Sequence, residues 1–521
     1  MSNSALRSGL AGPGSHVAAR TLALAAALIG LAGVAAAQPA HVAVDSGRLS
    51  GVSDGTVMSF KGVPYASPPV GPLRWRPPRP ALPWTGERDA AAFGPICPQP
   101  QRPELAESAA AQSEDCLTLN VWAPSRVERP APVMVWLHGG GNRGGASSGR
   151  YFDGTSFGRD GVVLVSLNYR LGPLGFFAHP ALTGEAASDQ PLANYGLMDQ
   201  IAALRWVRRN IRAFGGDPDN VTVFGESAGG VDVLALLTAP AARGLFAKAI
   251  VESGGLFEKP ESLREAQADG AKIATALGLP GAAATSAQLR ALPADALVRQ
   301  EIYGDGPIID GRLLREDVRA AFSCGDLPPV PLIIGYNSNE ASLMGDDPGR
   351  PAGLLSEFTA AELASARLAY PEATDDAALA RALFRDIHFA FPAWWIGGRA
   401  ARGAPAYVYR FGYIRMRQRG RMTGANHGAE IPYVFDSWSQ SPGGGIFMTD
   451  SERAEAGMVH ACWVAFARTG APACPPAPAW PSFQAQTPQL MGFGDDTMVE
   501  PAADRRRLEL LAPHAPVGDG R

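Results

Sequence analysis

The apolar positions of this chain follow two rhythms. Short uninterrupted runs at 133–137, 162–167, 221–224, 249–251, 332–334 and 406–411 predict strands buried on both faces. Between several of them the apolar residues recur at helical spacing. The clearest case is 199–214, where Ile201, Leu204, Val207 and Ile211 share one face. Near the start, residues 49–66 alternate and carry turn glycines, which predicts a short antiparallel sheet. Strands alternating with helices predict an α/β fold: a large, mostly parallel central sheet with helices on both faces. Two Ala-rich stretches, 258–306 and 354–400, break the alternation and predict helical insertions. They should lie over the carboxyl edge of the sheet, where open α/β sheets bind ligands. The second holds Phe384, Phe389, Phe391, Trp394 and Trp395. No repeat of roughly 20 to 50 residues is present, so solenoids and propellers are excluded.

The first 37 residues fall outside this pattern. Arg7 and Arg20 precede an apolar run at 21–34 that ends in Ala35-Ala36-Ala37, the layout of a secretory signal peptide cut before Gln38. About 14 apolar residues are too few to span a bilayer. The expected organisation is therefore a leader at 1–37 and one domain at 38–521, periplasmic or secreted and without stable membrane insertion. With 521 residues, 46% hydrophobic and 18% charged, the composition is that of a globular protein with a large core. Loss of Arg7 and Arg20 takes the formal charge from −4 to −6, which argues against nucleic acid as a partner. Five cysteines in an exported chain invite pairing. Cys97 and Cys116 flank a polar, Pro-rich stretch, where a disulfide would contribute roughly 3 kcal/mol by closing the loop. Cys462 and Cys474 form the next candidate pair, and Cys324 is left over as a free thiol or a small buried hydrophobe.

Chemistry enters at 224–230, Phe-Gly-Glu-Ser-Ala-Gly-Gly, where an apolar strand runs into a small-residue helix. G-x-S-x-G at such a junction is a nucleophile elbow: flanking glycines permit a sharp turn that lifts Ser227 clear of the sheet. A bare G-x-S-x-G also arises by chance, so its partners decide. Among eight histidines, His16 and His41 are terminal, His514 lies in a polar tail, and His388 and His460 sit in apolar helical patterns. His179 precedes a proline in a loop ahead of the serine. His427 lies among small residues, Gly424-Ala425-Asn426-His427-Gly428-Ala429, and is the predicted base. The acid should follow a strand between serine and histidine. Glu340, after the 331–334 strand, fits, whereas Asp310 before Gly311 reads as a turn aspartate. The strand at 133–137 ends in His138-Gly139-Gly140-Gly141, whose amides can face a bound oxygen. Gly140 and Gly141, with Ala228 after the nucleophile, are the predicted oxyanion donors. Residues 139–144 also match G-x-G-x-x-G, but a loop of small residues follows instead of a helix, which speaks against a nucleotide cofactor. Metal-site spacing is absent, and no cofactor is expected.

These motifs, with 60–66 (Phe-Lys-Gly-Val-Pro-Tyr-Ala), 113–120 (Ser-Glu-Asp-Cys-Leu-Thr-Leu-Asn), Asn168-Tyr169-Arg170, Asn210-Ile211 and 214–218 (Phe-Gly-Gly-Asp-Pro), resemble the type-B carboxylesterases. That α/β-hydrolase family includes bacterial para-nitrobenzyl esterases and the cholinesterases. The resemblance implies an ester hydrolase acting on small-molecule esters through an acyl-enzyme. It implies Ser227, Glu340 and His427 as triad, Gly140, Gly141 and Ala228 as oxyanion hole, and a Cys97–Cys116 disulfide. Two departures stand out: Asn142 and Arg143 where many relatives carry an aromatic residue, and Val231-Asp232-Val233 in place of small hydroxyl residues. Asn142 and Arg143 are candidate substrate contacts, since a guanidinium there could bind the carboxylate of a polycarboxylic ester. Two alternatives accompany this reading. One is a lipase or sterol esterase with the 354–400 aromatics as a lid, the other a non-catalytic cholinesterase-like binding module. The intact triad opposes the latter.

Overall fold

The computed structural model describes residues 38–100, 111–255, 260–300, 306–325, 327–345, 347, 349–438, 447–502 and 505–511. The predicted leader at 1–37 and His514 lie outside them. Thirteen strands among the described residues form one sheet. In chain order they are β1 (Gln38–Val44), β2 (Gly47–Ser53), β3 (Val57–Pro64), β4 (Glu87–Asp89), β5 (Thr118–Pro124), β6 (Ala131–Leu137) and β7 (Val163–Leu167). Then follow β8 (Gly216–Glu226), β9 (Lys248–Glu252), β10 (Leu332–Asn337), β11 (Ala406–Phe411), β12 (Gln489–Phe493) and β13 (Met498–Pro501). The spatial order is β1-β2-β3-β5-β7-β6-β8-β9-β10-β11-β12-β13, with β4 beside β2. From β7 to β12 all pairings are parallel. The remaining links, β4 on β2 apart, are antiparallel, so the predicted N-terminal sheet is the continuation of the large one.

The uninterrupted apolar runs are explained by burial on both faces. Val133, Val135 and Leu137 of β6 join the core on one side, Met134 and Trp136 that on the other. Helices Tyr195–Asn210 and Ala228–Thr238 cover the first face, and helix Asp450–Thr469, through Trp463 and Phe466, the second. The long helix starts at Tyr195, ahead of the predicted 199, because its first turn is buried all round and shows no periodicity. It ends in a tighter turn, Ile211–Phe214, stopped by Gly215 at φ 81°.

β5 was not predicted. It is buried along its whole length, but Thr118 and Asn120 break its apolar run. Asn120 is tolerated there because its carbonyl accepts from the Gly62 amide and its amide donates to Ser147 and Ser166.

Both helical insertions occur. The first contains helices Leu263–Ala276, Ser286–Arg290 and Ala294–Val298. The second runs through Ala360–Ala369, Asp376–Arg385, a π-turn at Asp386–Ala390 and helix Phe391–Ala400. The second closes over the ends of the parallel strands: a Cβ on Gly255, just past β9, would lie 2.7 Å from Pro392. Phe384, Phe389, Phe391, Trp394 and Trp395 are buried or half-buried, so this cluster packs inward and forms no exposed lid face.

Disulfides join Cys97 to Cys116 and Cys462 to Cys474, with Cα atoms 5.1 and 4.7 Å apart, and Cys324 is a free, exposed thiol. The basic run Arg415, Arg417, Arg419 and Arg421 is partnered in part. Arg415 pairs with Glu452 and lies over Trp438, while Arg419 pairs with Asp495. No helix among the described residues is long and apolar enough to cross a membrane.

Candidate active site

Ser227 sits at the junction of β8 and helix Ala228–Thr238 with φ 56° and ψ −125°, a region that disfavours any residue with a Cβ. The turn is that sharp because its glycines touch backbone: a Cβ on Gly225 would lie 2.7 Å from the Leu137 carbonyl. Hydrogen bonds hold the angle from both sides. The Ser227 amide donates to the Glu252 carbonyl at 2.8 Å, and its own carbonyl accepts from the Val231 amide at 3.0 Å.

His427 comes from a loop between β11 and β12, Glu340 from the turn after β10, and hydrogen bonds zip these loops together. Asn339 N donates to the Ala425 carbonyl, Ala425 N to Ser338 Oγ, and the Asn337 and Asn339 side-chain amides both reach Asn426, all at 2.8 Å. The result is a 2.6 Å bond from His427 Nδ1 to Glu340 Oε2. The other Glu340 oxygen accepts from Ser253 Oγ at 2.6 Å and from Asn337 N at 2.7 Å. With Nδ1 donating, Nε2 is the nitrogen left to take up a proton. The rival Asp310 is a turn aspartate as predicted, accepting from the Arg312, Leu313, Leu314 and Leu192 amides.

The glycine run abuts Ser227. A Cβ on Gly139 would lie 3.0 Å from Ser227 Cβ and 2.7 Å from the Glu226 carbonyl. Gly140 takes φ 113°, a conformation that residues with a side chain rarely adopt, Gly141 takes φ 65°, in the left-handed region that favours glycine, and the space beside Gly141 is open. Behind them, Tyr169 donates to the His138 carbonyl at 2.7 Å and stacks on the His138 ring. Burial drives the His138 imidazole down to about 4, so it is neutral and structural. Of the other candidates, Asn142 is buried and turned inward to Asp232, while Arg143 is half-buried. Loop continues from Gly139 through Gly154, which leaves no helix for a nucleotide at 139–144.

Sequence reasoning missed a cluster of carboxylates. Glu226, Glu252, Glu340 and Glu430 are all buried. Glu226 Oε1 lies 3.2 Å from His427 Nε2, at ion-pair distance but out of line for a hydrogen bond. Glu430 accepts from the Asn337 side chain, and Glu252 from Trp463 Nε1 at 2.7 Å. Burial pushes Glu226 up to about 7, with His427 pulling it down and Glu340 adding to the rise. Burial, with Glu226 and Glu340 nearby, takes Glu430 to about 8. Burial opposes charge on His427, yet the carboxylates of Glu226 and Glu340 outweigh it and raise the imidazole to about 10. These groups titrate together, so each proton belongs to the cluster. Glu226 and Glu430 lie inside the serine and histidine motifs, one residue before Ser227 and three after His427. Two carboxyls so near Ser227 and His427 were a readable signal. No metal-binding cluster is found among the described residues.

A carboxylesterase family model matches residues 38–510. A fumonisin B1 esterase of Sphingopyxis macrogoltabida is 38% identical over 474 residues, covering 86% of this chain and 85% of its own. A para-nitrobenzyl esterase of Bacillus subtilis (strain 168) is 36% identical over 507 residues, covering 91% and 98%. Among solved structures, a PNB esterase superposes with a TM-score of 0.78 at 33% identity, over 90% of this chain and 99% of its own.

Proposed function

The chain belongs to the carboxylesterase family and is a serine carboxylic ester hydrolase; from that premise we propose that Ser227, His427 and Glu340 are its catalytic triad and the amides of Gly140, Gly141 and Ala228 its oxyanion hole. The observation that carries this reading is the 2.6 Å bond between His427 and Glu340. It is made by an imidazole whose other nitrogen lies 3.2 Å from Glu226, the residue before Ser227.

In the reaction, His427 Nε2 takes the proton of Ser227 as its Oγ attacks the ester carbonyl. The tetrahedral oxyanion rests on the three amides, worth roughly 3 kcal/mol each in barrier. Collapse breaks the bond to the leaving alcohol, which receives the proton from Nε2, and water then repeats the sequence on the acyl-enzyme. Glu340 orients the ring and offsets its charge. A fluorophosphonate should add one phosphonyl group, mapping to the peptide that contains Ser227. Attachment elsewhere, or none, defeats the assignment.

Glu226 adds a second carboxylate to the imidazolium. In Glu226→Gln the proton on His427 loses a partner, so the imidazole becomes neutral at lower pH. The acidic limb of kcat/KM should therefore move down by roughly one unit, while kcat falls because the imidazolium formed in the transition state is less well held. A limb that stays in place means that the imidazole does not sense Glu226.

The substrate class includes esters with a free carboxylate. Arg143 stands two residues beyond Gly141, half-buried beside the proposed oxyanion loop, and a guanidinium matches a carboxylate bidentately. Arg143→Ala should lower kcat/KM for half-esters of dicarboxylic acids roughly tenfold or more, and leave neutral esters nearly unchanged. Equal losses on both rule this contact out. The inward packing of the 384–395 aromatics supports soluble esters over lipid surfaces as the working substrate. Two disulfides and the leader-like segment at 1–37 support action outside the cytoplasm.

A further inference from the structure

The two departures from the family's pattern meet in the folded chain. Asp232 lies one turn into helix Ala228–Thr238 and is fully buried. Its Oδ1 accepts from Asn142 Nδ2 at 3.1 Å and its Oδ2 from Gln200 Nε2 at 2.5 Å. Asn142 directly follows Gly141, takes φ 52°, and through its carbonyl accepts from the Gly172 amide at 2.6 Å. The Gly140 carbonyl accepts from the Arg143 and Gly144 amides at 3.2 and 3.1 Å, which closes the loop on itself. The residue after Gly141 is thus fastened twice, by its main chain and by its side chain. Its side-chain anchor stands on the helix that begins at Ala228.

Stability alone does not account for this arrangement. A buried carboxylate without a cationic partner is costly, and an apolar side chain of similar size would pack at less cost. Burial pushes the Asp232 carboxyl up to about 7 even though the Gln200 and Asn142 amides pull it down. Both amides give their N–H to Asp232, and Asn142 Oδ1 and Gln200 Oε1 have no hydrogen-bond partner among the described residues. Strain of this kind concentrates where function needs it.

We propose that Asp232 is a positioning residue for ester hydrolysis: through Asn142 it locks the Gly140 and Gly141 amides to the helix that supplies the Ala228 amide, so the three donors act as one rigid unit. The proposal rests on the oxyanion hole assigned under the proposed function. Donors aimed at the tetrahedral oxyanion, and not at the ground-state carbonyl, lower the barrier without tightening substrate binding. A brace that fixes their aim therefore acts on kcat and leaves KM nearly alone.

The test is a cycle of Asn142→Ala, Asp232→Ala and the double variant, with Asp232→Asn as the conservative change. Each single alanine variant should lower kcat roughly ten- to fiftyfold, less than loss of a donor itself, with KM within about twofold. The double variant should be no slower than the poorer single one, because both remove the same link. Affinity for a trifluoromethyl ketone, which forms a tetrahedral adduct with the serine, should fall by the same factor as kcat. Asp232→Asn should stay within about threefold of the unaltered enzyme in kcat, because its carbonyl can still accept from Asn142 once Gln200 turns its amide over. Losses that multiply in the double variant, losses carried by KM, or an Asp232→Asn enzyme as slow as Asp232→Ala each overturn the proposal. Should Asp232→Ala fail to fold, the kcat–KM split in Asn142→Ala decides alone. A wrong nucleophile would show itself separately, as turnover surviving in Ser227→Ala.

Discussion

Ser227→Ala should lower kcat by roughly 10⁵- to 10⁶-fold, because the three groups of such a triad act as a unit and removing the nucleophile removes the path. Thermal unfolding should barely move. The strain at φ 56° and ψ −125° arises from the Cβ, which alanine keeps. Ser227→Gly separates the two effects: equally inactive, it should be more stable by about 1 kcal/mol, the relief of a strained dihedral less the entropy glycine loses on folding. An inactive and stabilised glycine variant would show that this turn gives up stability to expose a hydroxyl. Turnover by the alanine variant near the original rate would reject Ser227 as nucleophile.

Much of this site was legible because each part is a local motif at a strand end. The elbow after β8, the glycine run after β6 and the turn after β10 follow apolar runs that read as strands without help from the fold. What joins them was not legible. The zip between the Glu340 and His427 loops depends on Asn337, Asn339 and Asn426, polar residues that look like ordinary loop content until two segments 87 residues apart are paired. β5 stayed hidden for a related reason, since Asn120 reads as a loop residue unless Gly62, Ser147 and Ser166 are known to surround it.

Asn142 shows how little can divide a substrate contact from a brace. The sequence located the departure, but the direction of the side chain hangs on one backbone angle, φ 52°, which turns it inward to Asp232. Local pattern cannot supply that angle, because asparagine is among the few residues that accept it and also one that accepts others. The carboxylate cluster is the opposite case. Glu226 and Glu430 were in plain view within the motifs, and their burial against His427 was the missing fact.

Glu340→Gln should lower kcat by about 10³- to 10⁴-fold while the fold survives. Its two oxygens are not equivalent. Oε1 accepts from Ser253 Oγ and from Asn337 N, and the Asn337 N–H is a donor that an amide nitrogen cannot satisfy. The glutamine oxygen is therefore forced into the Oε1 place, and its NH₂ faces His427 Nδ1. The imidazole must then accept at Nδ1 and carry its proton on Nε2, the tautomer that cannot take a proton from Ser227. The pH profile moves as well. Charge from Glu340 helps hold His427 above its ordinary range, so its removal lowers that value and shifts the acidic limb of kcat/KM to lower pH, beneath a far lower plateau. Glu226→Gln shifts the limb the same way but leaves the Nδ1 acceptor in place, so its plateau should fall much less. Equal plateaus in the two variants would mean that both carboxylates act on His427 through charge alone, and that the 2.6 Å bond to Glu340 does not set the tautomer.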